Sequence, residues 1–140
     1  MAFKENPYFK LDEFKCKCGK CSIPPNVPND ELIDVLCEIR EHYGQPVRIN
    51  SGYRCKDHNS KIGGAANSQH TVGSAADFTV DGIKTIDVYN FVIEKYDSKP
   101  YGIARRLSKD EYKGFVHIDT TKSRRRWVYN GSYEPNTKLA

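Results

Sequence analysis

Apolar residues recur at helical spacing in two stretches of this chain. Leu32, Ile33, Val35, Leu36, Ile39 and Tyr43 form one stripe, the pattern of a helix with a single buried face. Asn29 or Asp30 stands where an N-cap belongs, Asp30 and Glu31 put negative charge at the helix's positive end, and Gly44 follows as a stop. Ile86, Val88, Tyr89, Val92 and Ile93 form the second stripe and predict a helix over residues 84–96. Short apolar or alternating runs predict strands over residues 46–50, 75–80, 101–104, 115–119 and 127–129. Residues 55–67 read as a short helix running into a glycine-rich loop broken at Gly63-Gly64, and Asp81-Gly82 reads as a turn. The gaps between the strand runs are short. The expected fold class is therefore α+β, with a central antiparallel sheet and helices on one face.

The two ends carry no such pattern. Residues 1–28 read as a loop-rich lead-in, with Pro24, Pro25 and Pro28 opposing regular helix and Phe9, Leu11 and Phe14 available to pin it to the core. Residues 134–140 read as a frayed tail. The whole chain, 1–140, is expected to form one domain, and 140 residues suffice for a core of its own.

Composition narrows the function classes. Nine Tyr and six Phe against one Trp and one Met suit a mixed core rather than a helical bundle. A net charge of +4 is short of the single-sign excess of a dedicated nucleic-acid binder. The run Ser123-Arg124-Arg125-Arg126-Trp127 reads first as a basic strand edge with Trp127 packed inward, so no nucleic-acid partner is expected. No apolar run is long enough for a membrane span, and the Met1-Ala2-Phe3-Lys4 start lacks a secretory h-region. Synthesis in the cytoplasm is expected, with another route of release if the protein acts outside. The five cysteines are an odd number, three of them in Cys16-Lys17-Cys18-Gly19-Lys20-Cys21. They read first as reduced, metal-free thiols; a structural zinc held by Cys16, Cys18 and Cys21, with Cys37 or Cys55 as a fourth, is the alternative.

The candidate chemistry centres on Ser68-Gln69-His70-Thr71-Val72-Gly73-Ser74-Ala75-Ala76-Asp77 and on Phe115-Val116-His117-Ile118-Asp119. Two imidazoles and a carboxylate match the ligand count of a catalytic zinc site, which keeps one position for water. The His70-to-Asp77 spacing is too long for a one-turn helical pair and suits a loop followed by a strand, with Gly73 turning the chain. In a strand over 115–119, His117 and Asp119 project to one face and Val116 and Ile118 to the other. From spacing alone, these histidines could equally be surface residues or residues satisfied in a core.

The string Ser68-x-His70-x-x-Gly73-x-Ala75-x-Asp77, preceded by Ser51-Gly52-Tyr53-Arg54 and followed by Val116-His117-Ile118-Asp119, resembles the zinc D-alanyl-D-alanine carboxypeptidase family. That group also takes in peptidoglycan endopeptidases, phage endolysins and hedgehog-like domains. The resemblance runs from about Phe9 to Trp127. It implies a hedgehog/DD-peptidase-like fold and one catalytic zinc ion held by His70, Asp77 and His117. It also implies a peptidoglycan stem peptide as substrate, cut by zinc-activated water, at a cell wall reached through phage- or holin-assisted release. Arg54 matches the family's substrate-binding arginine, and Ser68 is placed to hydrogen-bond substrate. Many relatives carry a general base two or three residues before the last ligand, where this chain has Gly114 and Phe115. Asp119 is the expected base instead, with Glu111 and Asp110 behind it. The hedgehog-like relatives imply an alternative, a catalytically inactive zinc domain that binds cell wall.

Overall fold

The computed structural model describes residues 4–19, 28–62, 70 and 74–133. Ser68, Cys21, Gly63-Gly64, Gly73 and the 134–140 tail, all singled out above, lie outside the described residues.

The first apolar stripe forms α1 (Asp30–Tyr43). The Asn29 side chain accepts the Leu32 N–H at 2.9 Å, and Gly44 closes the helix in the left-handed region at φ +63°, where glycine carries no steric cost. The second stripe forms α3 (Thr85–Lys95). Between them stands α2 (Lys56–Lys61), capped by the Cys55 sulfur. The strands are β1 (Val47–Ser51), β2 (Ala75–Val80), β3 (Gly102–Leu107), β4 (Gly114–Asp119) and β5 (Arg125–Val128).

They form one sheet in the order β1-β2-β4-β3-β5. The first four pair antiparallel. β5 departs from the expected antiparallel sheet by pairing parallel to β3. The reason is geometric: β3 lies between β4 and β5, so the chain leaving β4 steps past its hairpin partner and re-enters the sheet in β3's direction.

Ala76, Phe78, Val80, Ile103, Val116 and Ile118 face α1 and α3 and share one buried core with Leu32, Leu36, Ile39, Val88 and Val92. Each fully buried large side chain contributes about 1.5–3 kcal/mol, so this face carries the stability. Strand alternation then sends Asp77, His117 and Asp119 to the other face. In the lead-in, Phe9 and Phe14 are buried, the latter ending a single 3-10 turn, Leu11–Phe14. Leu11 does not act as a pin, since its side chain is exposed. Among the described residues no helix is long and apolar enough to cross a membrane.

Two tyrosines tie α1 to the end of α3 and the start of β3. The Tyr96 hydroxyl donates to Glu38 at 2.6 Å and the Tyr101 hydroxyl to Glu31 at 2.7 Å. Burial, then the adjacent carboxylate, pushes both phenols well above their ordinary range. The folded protein thus keeps protons that the unfolded chain releases near pH 10. This stabilisation is complete below that pH and is lost as pH rises above it. Thermal unfolding from about pH 8 to 11 should show declining stability, with a shallower decline in a Tyr96→Phe, Tyr101→Phe double variant.

Candidate functional site

Asp77 of β2 and His117 of β4 are direct partners in the antiparallel register. Their side chains therefore stand side by side on the face away from the helices, and His117 Nδ1 lies 2.8 Å from Asp77 Oδ1. His70 comes from the segment preceding β2. Its Nε2 lies 3.2 Å from the same Asp77 oxygen. The short segment after β1 holds it in place: Gly52 O accepts from His70 Nδ1 at 2.7 Å, and the Arg54 N–H donates to His70 O at 3.0 Å. One ligating atom from each of the three residues lies within 4.8 Å of the others, and all three residues are buried.

Proton accounting says what the cluster suits. A carbonyl can only accept, so His70 carries its proton on Nδ1. Asp119 Oδ2 lies 2.8 Å from His117 Nε2, and an ionised carboxylate can only accept, so His117 carries its proton there. In neutral rings the two inward nitrogens then present lone pairs to an Asp77 oxygen that also has only lone pairs to offer. Three buried acceptors facing one another require positive charge between them. Two neutral imidazoles and one carboxylate are a fitting donor set for zinc, with one tetrahedral position left over.

The electrostatics point the same way. Burial alone pushes the Asp77 carboxyl up, but the adjoining His117 and His70 rings, which donate to it when protonated, outweigh burial and hold the group well below the ordinary carboxylate range. For His117, burial disfavours the charged ring, yet Asp119 and Asp77 together raise its proton affinity.

Arg54 stands beside the cluster. Its Nη2 is 3.6 Å from Asp77 Oδ2, its Nη1 donates to Asn59 of α2 at 2.9 Å, and its Nε donates to Ser51 at 3.3 Å. The guanidinium is thus held between β1 and α2, with its outer nitrogen toward the carboxylate of the proposed ligand set.

Asp119, the expected base, lies on the opposite side of the His117 ring from Asp77. It meets the Nε2 edge of His117, whereas Asp77 meets the Nδ1 edge. Its Oδ1 accepts from the Gly102 N–H at 3.1 Å, Thr121 Oγ1 at 2.8 Å and Arg125 Nη2 at 2.6 Å. Burial pushes this carboxyl up as well, but its bonds from His117 and Thr121 and the Arg125 charge bring it down to about 2. A carboxylate so fully engaged is suited to fixing an imidazole and poorly suited to taking a proton. The other two candidates lie in the turn that precedes β4. Glu111 is exposed, pairs with Lys84 and accepts the Thr85 N–H through its carbonyl, which places it by the start of α3 on the helix side. Asp110 accepts from the Tyr112 N–H in the turn before β4.

The sequence pattern did not flag the residues that support Asp119. Gly102 pairs with it across β3 and β4, and a Cβ there would meet Asp119 Oδ1 at 2.7 Å and Arg125 Nη2 at 2.6 Å. Arg125 also lies over the Trp127 ring, 5.1 Å of ring separation from which is His117. Tyr129 completes an aromatic wall, its ring 6.0 Å from that of His117. Arg124 is bound to Asp97, and Arg126 to the Tyr101 carbonyl, so each arginine of the basic run is tied into the fold.

The cysteines form a second group. Cys16 and Cys18 come together with Cys55, the second of the two fourth-ligand candidates. Cys37, the other, packs against the core from α1 and is not part of that group.

A family model described as Peptidase M15 matches residues 7–119. No curated protein matches the chain.

Proposed function

The chain belongs to the M15 peptidase family, and from that premise we propose that it is a zinc metallopeptidase that hydrolyses a peptide bond in peptidoglycan stem peptides. The convergence of His70 Nε2, His117 Nδ1 and Asp77 Oδ1 on one buried point carries this reading. Those three atoms would hold the ion. Bound there, zinc supplies Lewis acidity that polarises a peptide carbonyl and acidifies water.

The chain's own residues supply the rest. Arg54 offers a guanidinium to a substrate carboxylate or to the charge that develops on an attacked carbonyl. Ser68, two residues before His70, is proposed to hydrogen-bond substrate. Asp119 is a positioning residue: it fixes the His117 tautomer, so that Nδ1 faces inward. Trp127 and Tyr129 shield the His117 ring from water on the β5 side. The place of action is the cell wall, reached after assisted release.

One observation favours a second reading. Asp119 is committed to His117, and Gly114 and Phe115 occupy the positions where relatives carry a base, so the same zinc domain could serve as a wall-binding module. Digestion of purified peptidoglycan, followed by mass spectrometry of the released fragments, separates the two. We expect defined stem-peptide cuts by zinc-loaded protein, abolished by a chelator and restored by added zinc. Zinc-loaded protein that sediments with the wall material and releases nothing would make the binding module the better account.

A further inference from the structure

We propose that Cys16, Cys18 and Cys55 form a second, structural zinc site that staples the N-terminal segment to the turn holding His70 and Arg54. The Cys16 and Cys55 sulfurs are 3.7 Å apart, and those of Cys55 and Cys18 are 3.9 Å apart. All three lie within 4.8 Å of one another, and Cys16, Cys18 and Cys55 are free thiols. Sulfurs bound to one tetrahedral zinc at about 2.3 Å stand about 3.8 Å from each other, the spacing seen here. A disulfide joins two sulfurs and leaves a third out; this cluster is three-sided.

The backbone brings the three sulfurs together. A turn closed by the Gly19 N–H on Cys16 O, with Gly19 at φ +71°, turns Cys16 and Cys18 toward the same point. The Cys55 N–H points at Cys16 Sγ at 3.4 Å, and the His58 N–H at Cys55 Sγ at 3.4 Å. These N–H groups fix the directions of the two sulfurs and would serve as outer hydrogen bonds to them once a metal is held.

The location gives the site its purpose. Tyr53 N–H donates to Phe14 O at 2.9 Å, so residues 14–18 and 52–55 already run in contact. Gly52 and Arg54, in that second segment, both grip His70. An ion across Cys16, Cys18 and Cys55 would lock this support without touching the proposed catalytic cluster.

The test is native mass spectrometry of the full chain isolated with zinc and a reductant. Wild type should carry two zinc ions, and His117→Ala and Cys55→Ser should each carry one. Cobalt(II) loaded into His117→Ala should show intense thiolate-to-metal charge transfer in the near ultraviolet, a band lost in His117→Ala, Cys55→Ser. Cys18→Ser, at the half-exposed member, repeats the test where the Cys55 variant fails to fold, and Cys37→Ser should change nothing. One zinc in wild type and none in His117→Ala would overturn this site and leave the peptidase reading standing. One zinc in both, with the charge-transfer band present, would uphold this site and sink the other. A Cys16-to-Cys55 disulfide in place of metal would also overturn it.

Discussion

Asp119→Ala is expected to weaken zinc binding by roughly 10- to 100-fold, the usual effect of removing a partner that orients a ligand, and to lower stability by about 1–3 kcal/mol for each buried N–H left without its acceptor. Both losses come from the same carboxylate. It is almost completely buried and accepts from His117, Gly102, Thr121 and Arg125. Truncation leaves the His117 N–H and the Gly102 N–H without their acceptor and takes the carboxylate from the Arg125 guanidinium, which keeps only Thr121 Oγ1 at 3.0 Å. The His117 ring is then free to change tautomer or rotate. Asp119→Asn keeps the volume but must turn an amide N–H toward either Arg125 or His117, so it should retain more stability than alanine and still lose affinity. Competition against a zinc chelator, with thermal unfolding run in parallel, separates the two effects. An unchanged zinc affinity with abolished cleavage would return Asp119 to the role of base.

Phe14→Ala is expected to cost about 3–5 kcal/mol, the range for emptying a fully buried aromatic site, a large part of the 5–15 kcal/mol that holds a typical domain. Phe14 has no exposed surface and packs beside Phe9 at 6.0 Å between ring centres. Its backbone lies so close to Gly52 that a Cβ there would meet Phe14 Cα at 2.8 Å. The loss should therefore spread from the N-terminal segment to the residues that grip His70, and zinc affinity should fall together with the denaturation midpoint. Denaturant unfolding, followed by fluorescence and by zinc release, checks both. A loss below about 1 kcal/mol would mean that this segment unfolds apart from the sheet.

Some of this was legible in the sequence, for local reasons. Asn29, the stripe from Leu32 to Ile39 and Gly44 specify α1 without outside help, because a cap, a periodic face and a stop each act within a few residues. Alternation in β4 put His117 and Asp119 on one face, and they share it. Which imidazole edge Asp119 meets depends on side-chain rotation and on Gly102 and Arg125, which reach it from two other strands. Strand direction was likewise beyond local reading: β5 is short, and its parallel partner is chosen by where the preceding hairpin leaves room. The cysteine cluster joins residues 39 positions apart, so the compact Cys16-to-Cys21 spacing drew notice while Cys55 was one of two equal choices. The aromatic wall at Trp127 and Tyr129 had no signal beyond two large residues two positions apart.

The family match ends at Asp119, before β5 begins. A chain cut at that boundary would leave β3 as the rim of the sheet, with a row of backbone N–H and C=O groups on a mostly buried strand open to any passing chain. Such rims invite association. As it stands, the rim is four residues long and carries Arg125 and Arg126, too short and too charged to recruit a neighbour. The basic run near the end of this chain thus reads as a guard against aggregation, and recombinant versions trimmed to the matched span would come without it.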